Sequence, residues 1–257
     1  MGERRMSRVG SGRGPTGGQV VLAVDTATDS VVTGIAELAG GEVRVLAERV
    51  VADHRRHAEL LTTLIAESLA ESGCARDDLT AVVVGCGPGP FTGLRVGMAT
   101  GSGFADALGI PAHGVCSLDA LAHESSDPET DDPESDDPAP RTLVVTDARR
   151  REVYWAVYDN DRRRRGPEVT APAVVADELA ADLAAGRFGA AAGSAPHLDL
   201  VGWTGAPPAV TVPTVRGLVA VAGPDIVAGL DPEPLVPLYL RRPDAVEQKD
   251  RRSGVRP

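Results

Sequence analysis

Apolar residues recur along this chain with two periods, one suited to strands and one to helices. Val20-Val21-Leu22-Ala23-Val24 is a β-rich run that ends at Asp25 and a Thr/Ser turn, and it reads as a buried strand. Residues 31–38 and 42–50 follow as two more strands around Gly40-Gly41, a hairpin signal. Such short links force antiparallel neighbours. Over residues 53–72 the period becomes helical: Leu60, Leu61, Leu64, Ile65 and Leu69 share one face, Asp53 is the expected N-cap and Gly73 the stop. Residues 81–85 return to strand, break at Gly87-Pro88-Gly89-Pro90, and resume as a helix over 92–108. A short strand at 111–115 and a short helix at 117–123 complete a βββαβαβα order.

The pattern then restarts. A strand at 142–146 ends on Asp147, the cluster Arg149-Arg150-Arg151 forms a turn, and 152–158 is a second strand. A third strand is expected at 168–173, a helix at 175–185, a strand at 188–192 running into a Gly193-Ser194-Ala195-Pro196 turn, and a last helix at 215–227. Two halves that each open with a strand and an Asp-bearing turn predict a duplicated α/β unit with a cleft between the copies. The expected organisation is a disordered tail at 1–18, a first subdomain at 19–124, an exposed insertion at 125–140, a second subdomain at 141–245 and a tail at 246–257.

Charge adds little to this picture, because it is local. The net charge is −11, but residues 124–137 hold eight acids and no base, and without them it would be −3. Lysine occurs once, at Lys249, which excludes a P-loop lysine and a buried Schiff-base lysine. Three cysteines, Cys74, Cys86 and Cys116, form no disulfide framework, and no apolar run reaches the length of a membrane span. A cytoplasmic protein is expected.

Candidate chemistry is thin. Asp25 and Asp147 sit at matching positions and could hold Mg²⁺, but neither turn carries glycines that would wrap phosphates. The loop from Gly87, Pro88 and Gly89 to Phe91 and Thr92 lacks the residues of a P-loop and reads as a structural turn. His54 and His57 lie three apart with no third ligand in sight, and Cys86 with His113 is a weak nucleophile–base pair. Arg149–Arg151 and Arg162–Arg165 are basic patches with few stacking aromatics. What stands out is the stripe Gly93, Gly97, Gly101 and Ala105, every fourth residue on one helix, beside the leucine-rich helix before it.

The ordered set Asp25-Thr26-Ala27, His57-Ala58-Glu59-Leu60-Leu61, Gly87-Pro88-Gly89-Pro90-Phe91-Thr92-Gly93-Leu94-Arg95, Asp147-Ala148-Arg149-Arg150-Arg151-Glu152 and Tyr239-Leu240-Arg241-Arg242-Pro243 resembles the TsaB (YeaZ) family. That resemblance implies an actin-like, Hsp70-like ATPase (ASKHA) fold with two βββαβα-type subdomains. It also implies a non-catalytic subunit of bacterial tRNA threonylcarbamoyladenosine synthesis, with no catalytic, metal or cofactor residues of its own beyond residual nucleotide binding. The implied partners are TsaD, which modifies adenosine 37 of tRNAs reading ANN codons, and TsaE, with tRNA met through the complex. The family's heterodimer face would here comprise His57, Leu60, Leu61, Leu64, Gly93, Leu94, Gly97, Met98 and Gly101, a face that could also pair with itself. Gly97→Leu is therefore expected to abolish the heterodimer while sparing the monomer. The spacing His54-Arg55-Arg56-His57 departs from the His-x-x-x-His of TsaD-like relatives, and Pro90 stands where the family usually has serine. The alternative function is an active ATPase, kinase or glycoprotease-like hydrolase of the same superfamily.

Overall fold

A computed structural model describes residues 17–52, 57–125, 140–160 and 162–241. The strands β1 (Gln19–Asp25), β2 (Ser30–Ala39), β3 (Glu42–Ala52), β4 (Leu79–Gly85) and β5 (Ala112–Val115) form one sheet in the order β3-β2-β1-β4-β5. β1 pairs antiparallel with β2, to which the short turn 26–29 joins it, and parallel with β4, which a helical crossover reaches, while the two-residue Gly40-Gly41 hairpin sets β2 antiparallel to β3. The second sheet has the order β8-β7-β6-β9, from β6 (Arg141–Asp147), β7 (Val153–Asp159), β8 (Arg162–Thr170) and β9 (Phe188–Gly193). It repeats the first sheet's antiparallel hairpins and parallel return.

Strand alternation distributes the core. On β1, Val20, Leu22 and Val24 face α1 (His57–Ser72) and α2 (Phe91–Leu108), with Leu61, Ile65 and Ala105 against them. Val21 and Ala23 face the other way, toward α6 (Val215–Val227), whose Leu218, Val219 and Ala222 fill that side. α3 (Ser117–Ser125) buries Leu118 and Leu121 against Val144, Tyr154 and Tyr158 of the second sheet. α4 (Pro172–Ala184) and α5 (Ala195–Leu200) cover that sheet's far face through Val175, Leu179 and Leu198. The helices thus cross over: α3, which follows the first sheet in the chain, packs on the second, and α6, which follows the second, packs on the first. Thr214 starts α6, its Oγ1 accepting from the Gly217 amide at 3.0 Å, and Glu48 of β3 accepts from the Val215 amide at 2.7 Å.

Several elements depart from the sequence expectation. β8 begins at Arg162, not at 168, so the second arginine cluster is an edge strand and not a loop. Its cations are paired: Arg163 with Asp119, Arg164 with Asp159, and Arg165 with Glu168 and Glu178 while its guanidinium lies 4.5 Å over the Trp155 ring. Charged side chains on an edge strand also deter unwanted strand addition. The expected turn after Gly193 is helical from Ala195. Asp53, expected to cap α1, His54 and most of the acidic run fall outside the described residues, as do both ends of the chain.

Candidate functional site

The two Asp-bearing turns face each other, and the glycine-proline loop lies beside them. Asp25 closes β1 and is wholly buried. One carboxylate oxygen accepts from the Ala27 amide at 2.8 Å and the other from the Ser117 hydroxyl. Burial pushes its pKa up to about 6, against the opposing pull of those two hydrogen bonds. A Cβ at Gly85 would overlap that carboxylate, so glycine is required where β4 passes it. Asp147 has a different fate: it is part-exposed and caps its own hairpin turn, accepting from the Arg149 amide at 2.7 Å. Arg149 also reaches across to Asp29 of the first turn. Matching positions in the sequence therefore hold one sealed and one solvated carboxylate.

The loop is anchored from three sides. The Cys86 amide donates to Val115 O at 2.8 Å, and the Gly87 amide donates to Ser117 Oγ at 3.2 Å. The Ser117 amide returns a bond to Gly87 O at 2.8 Å, and Leu238 N donates to Cys86 O at 2.8 Å. Gly87 sits at φ +96°, and Gly89 packs so closely on Ala27 that no side chain fits. The Cys86 and Gly87 amides, which an anion-binding loop would present, are thus already used inside the protein. Phe91 and Thr92 begin α2 and are exposed.

Of the residues expected at a partner face, most look inward. Leu61 and Leu94 are fully buried, Leu64 nearly so, and Leu60 and Met98 are half-buried; the His57 side chain is outside the described residues. Gly93, Gly97 and Gly101 are all buried. A Cβ at Gly97 would overlap Thr26 Oγ1, and one at Gly101 would stand 2.5 Å from Val84 Cγ2. The stripe thus lets α2 press on β1 and β4 of its own sheet, and Gly97→Leu is corrected from an interface probe to a core disruption. The side chains that α1 and α2 present outward include Thr62, Thr63, Arg95 and Ala99, with Gly103 in open space.

Cys86 and His113 are separated by strand alternation: Gly114 faces the thiol, and His113 turns to a cavity with Gln19 and Ile226. Burial, with the Asp25 charge added, pushes the Cys86 thiol up to about 11, so it is no thiolate at neutral pH. Among the described residues no three His, Cys, Asp or Glu side chains gather as for a metal ion.

Between the halves lies a cleft of about 320 Å³, lined by Thr28, Asp29, Asp147, Ser194 and Thr211 among others. Sequence reading missed one part of it. Ser194 Oγ is 2.7 Å from His197 Nδ1, and His197 Nε2 is 3.5 Å from Asp147 Oδ1. The only sequence signal was Ser-x-x-His at a helix start, where three-residue spacing makes this contact locally.

A family model described as TsaD, tRNA N6-adenosine threonylcarbamoyltransferase, matches residues 44–188. An uncharacterized protein of Mycobacterium leprae is 49% identical over 88% of this chain and 56% of its own length. The tRNA threonylcarbamoyladenosine biosynthesis protein TsaB of Escherichia coli is 33% identical over 55% of each chain. The matched chain therefore spans little more than half the length of these two relatives. A crystal structure from Pseudomonas aeruginosa, an uncharacterized protein with similarity to peptidase YeaZ, superposes with a TM-score of 0.67 at 28% identity, over 87% of this chain and all of that one. With the Gly-Pro-Gly-Pro-Phe-Thr-Gly-Leu-Arg loop at the junction of two α/β halves and these likenesses together, the chain belongs to the TsaB (YeaZ) family.

Proposed function

We propose that this protein is a non-catalytic subunit of an actin-like, ASKHA-type fold that docks a TsaD-type transferase and so supports threonylcarbamoylation of tRNA adenosine 37. TsaE would join that assembly, in the cytoplasm. The observation that carries the docking reading is the commitment of α2's glycine side to its own sheet. Beyond Arg95 it leaves a low outer ridge of Ala99 and Gly103, suited to a second helix pair. The non-catalytic reading draws on Asp25, sealed and hydrogen-bonded at each oxygen, and on a loop whose Cys86 and Gly87 amides are already paired. No described helix is long and apolar enough to cross a membrane.

Gly103→Arg and Ala99→Arg are expected to lower co-purification with TsaD from the same organism by about tenfold or more, with unchanged thermal unfolding, since both side chains project into solvent in the free protein. An undiminished complex would move the interface elsewhere. Calorimetry with ATP and Mg²⁺ on the isolated chain tests the other half of the reading: tight binding with turnover would make the protein an enzyme.

A further inference from the structure

A second cavity gathers chemistry that a docking role leaves unused. It measures about 340 Å³ and opens between the start of α2 and the Arg149–Arg151 turn. Three of the chain's eight aromatic residues line it, Phe91, Tyr154 and Tyr239. Arg149, Arg150 and Arg241 line it too, against one carboxylate, Asp147. The cleft of about 320 Å³ has the opposite character, with Asp29 and Asp147 and no lysine or arginine in its lining. Arg149 pairs with both of those carboxylates from its own side, so a phosphate entering the second cavity shares that guanidinium with them.

The aromatic pair is half open. Phe91 and Tyr239 have ring centroids 4.8 Å apart at 31°, and 39% and 38% of their surfaces remain exposed. In a chain with so few aromatics, leaving two stacked rings in water calls for a reason. Arg95 lies 3.8 Å over Phe91 and donates to the Tyr239 hydroxyl at 3.1 Å, which fixes the pair. The cations are held in place as well. Arg241 donates to Ala148 O at 2.8 Å and pairs with Glu152 at 2.7 Å. Arg149, Arg150 and Arg151 all have positive φ, at 65°, 52° and 65°, a conformation non-glycine residues adopt at a cost.

We propose that this pocket binds an unpaired nucleotide, with its base stacked on the Tyr239–Phe91 pair and its phosphate among Arg149, Arg150 and Arg241. Both parts of a nucleotide find a counterpart, whereas an acidic peptide would use the arginines and leave the rings idle. The nucleotide can come from a free mononucleotide or from a single-stranded RNA loop. Only the expectation that the loop belongs to tRNA rests on the function proposed above.

The test is fluorescence anisotropy of the full chain with a labelled, unpaired oligoribonucleotide of about eight nucleotides. AMP, whole tRNA and a glutamate-rich peptide serve as competitors. Wild-type protein is expected to bind with an affinity that falls as salt rises, and Arg150→Ala to reduce that salt slope by about one. Tyr239→Ala is expected to weaken binding about 5- to 150-fold, and Tyr239→Phe to retain most of it. Displacement by AMP assigns the pocket to mononucleotides, and displacement by tRNA alone assigns it to RNA loops. No binding by wild type at low salt, an unchanged affinity in Tyr239→Ala and Arg150→Ala, or equal displacement by the acidic peptide overturns the proposal. Should Tyr239→Ala fail to fold, the salt slope of Arg150→Ala decides. Co-purification with TsaD keeps the two readings apart: nucleotide binding that depends on Tyr239 in a chain that captures no TsaD would leave the pocket standing and the docking role refuted.

Discussion

Gly97→Leu is expected to lower the stability of the free protein by about 3 kcal/mol, not to act on a complex alone. The Gly97 Cα faces Thr26, a fully buried side chain whose hydroxyl donates to Gly93 O at 2.7 Å. This bond ties α2 to the first Asp-bearing turn. Even one added methyl overlaps the hydroxyl, an overpacking that costs about 1–3 kcal/mol. A leucine also breaks the Thr26 bond and strands a buried hydroxyl, another 1–3 kcal/mol or so. The gain of about 1 kcal/mol from replacing a mid-helix glycine does not offset this. A net loss of about 3 kcal/mol, the middle of these ranges, is a large part of a stability that for a domain totals about 5–15 kcal/mol. Chemical denaturation checks the prediction with an internal control. Gly103→Leu, the same change six residues along the same helix, meets no atom within 4 Å and is expected to fold at wild-type stability or better. If Gly97→Leu unfolds like wild type and loses only its partner, the close packing of α2 on its own sheet is refuted.

Asp25→Asn is expected to stabilise the protein above pH 6 and to leave it unchanged near pH 4. The folded carboxyl has a pKa near 6, raised from 3.8, chiefly because burial disfavours its charge. Between those values the folded state holds a proton that the unfolded chain has released. Stability from the protonated form is thus complete below about pH 4 and lost as pH rises through about 6. A shift of this size corresponds to about 3 kcal/mol. Asparagine is neutral throughout, can accept from the Ala27 amide and can donate to Ser117 Oγ. Subtracting its unfolding free energy from that of wild type at each pH cancels the other carboxylates. The difference is expected to change sign or deepen between pH 4 and 6; a flat difference would show that Asp25 is not buried as a strained charge. A carboxylate that held Mg²⁺ would instead stay ionised and weaken on this substitution only when the metal is present.

Much of this was legible in local residue order. The helix at 215–227 matches α6 residue for residue, and the strands of both sheets lie within a few residues of their expected bounds, β8 excepted. β8 was cut short because four consecutive arginines mask a strand whose Arg165 lies over Trp155 and whose cations meet carboxylates from three other elements, Asp119, Asp159 and Glu178. The family was legible too, through an ordered set of short motifs that no single one would have carried.

The chain's apolar periodicity and turn residues, being interactions between near neighbours, determined the elements, their order and the two-part repeat. Which side each element buries was decided only in three dimensions. A stripe of glycines announces a close approach but not to what, and here it is the protein's own sheet. Cys86 and His113 are set apart by the pleat, α3 and α6 trade sheets, and Phe91 meets Tyr239 from the far end of the chain. These are pairings between residues distant in sequence, chosen by the packing of whole layers, and no local pattern encodes them.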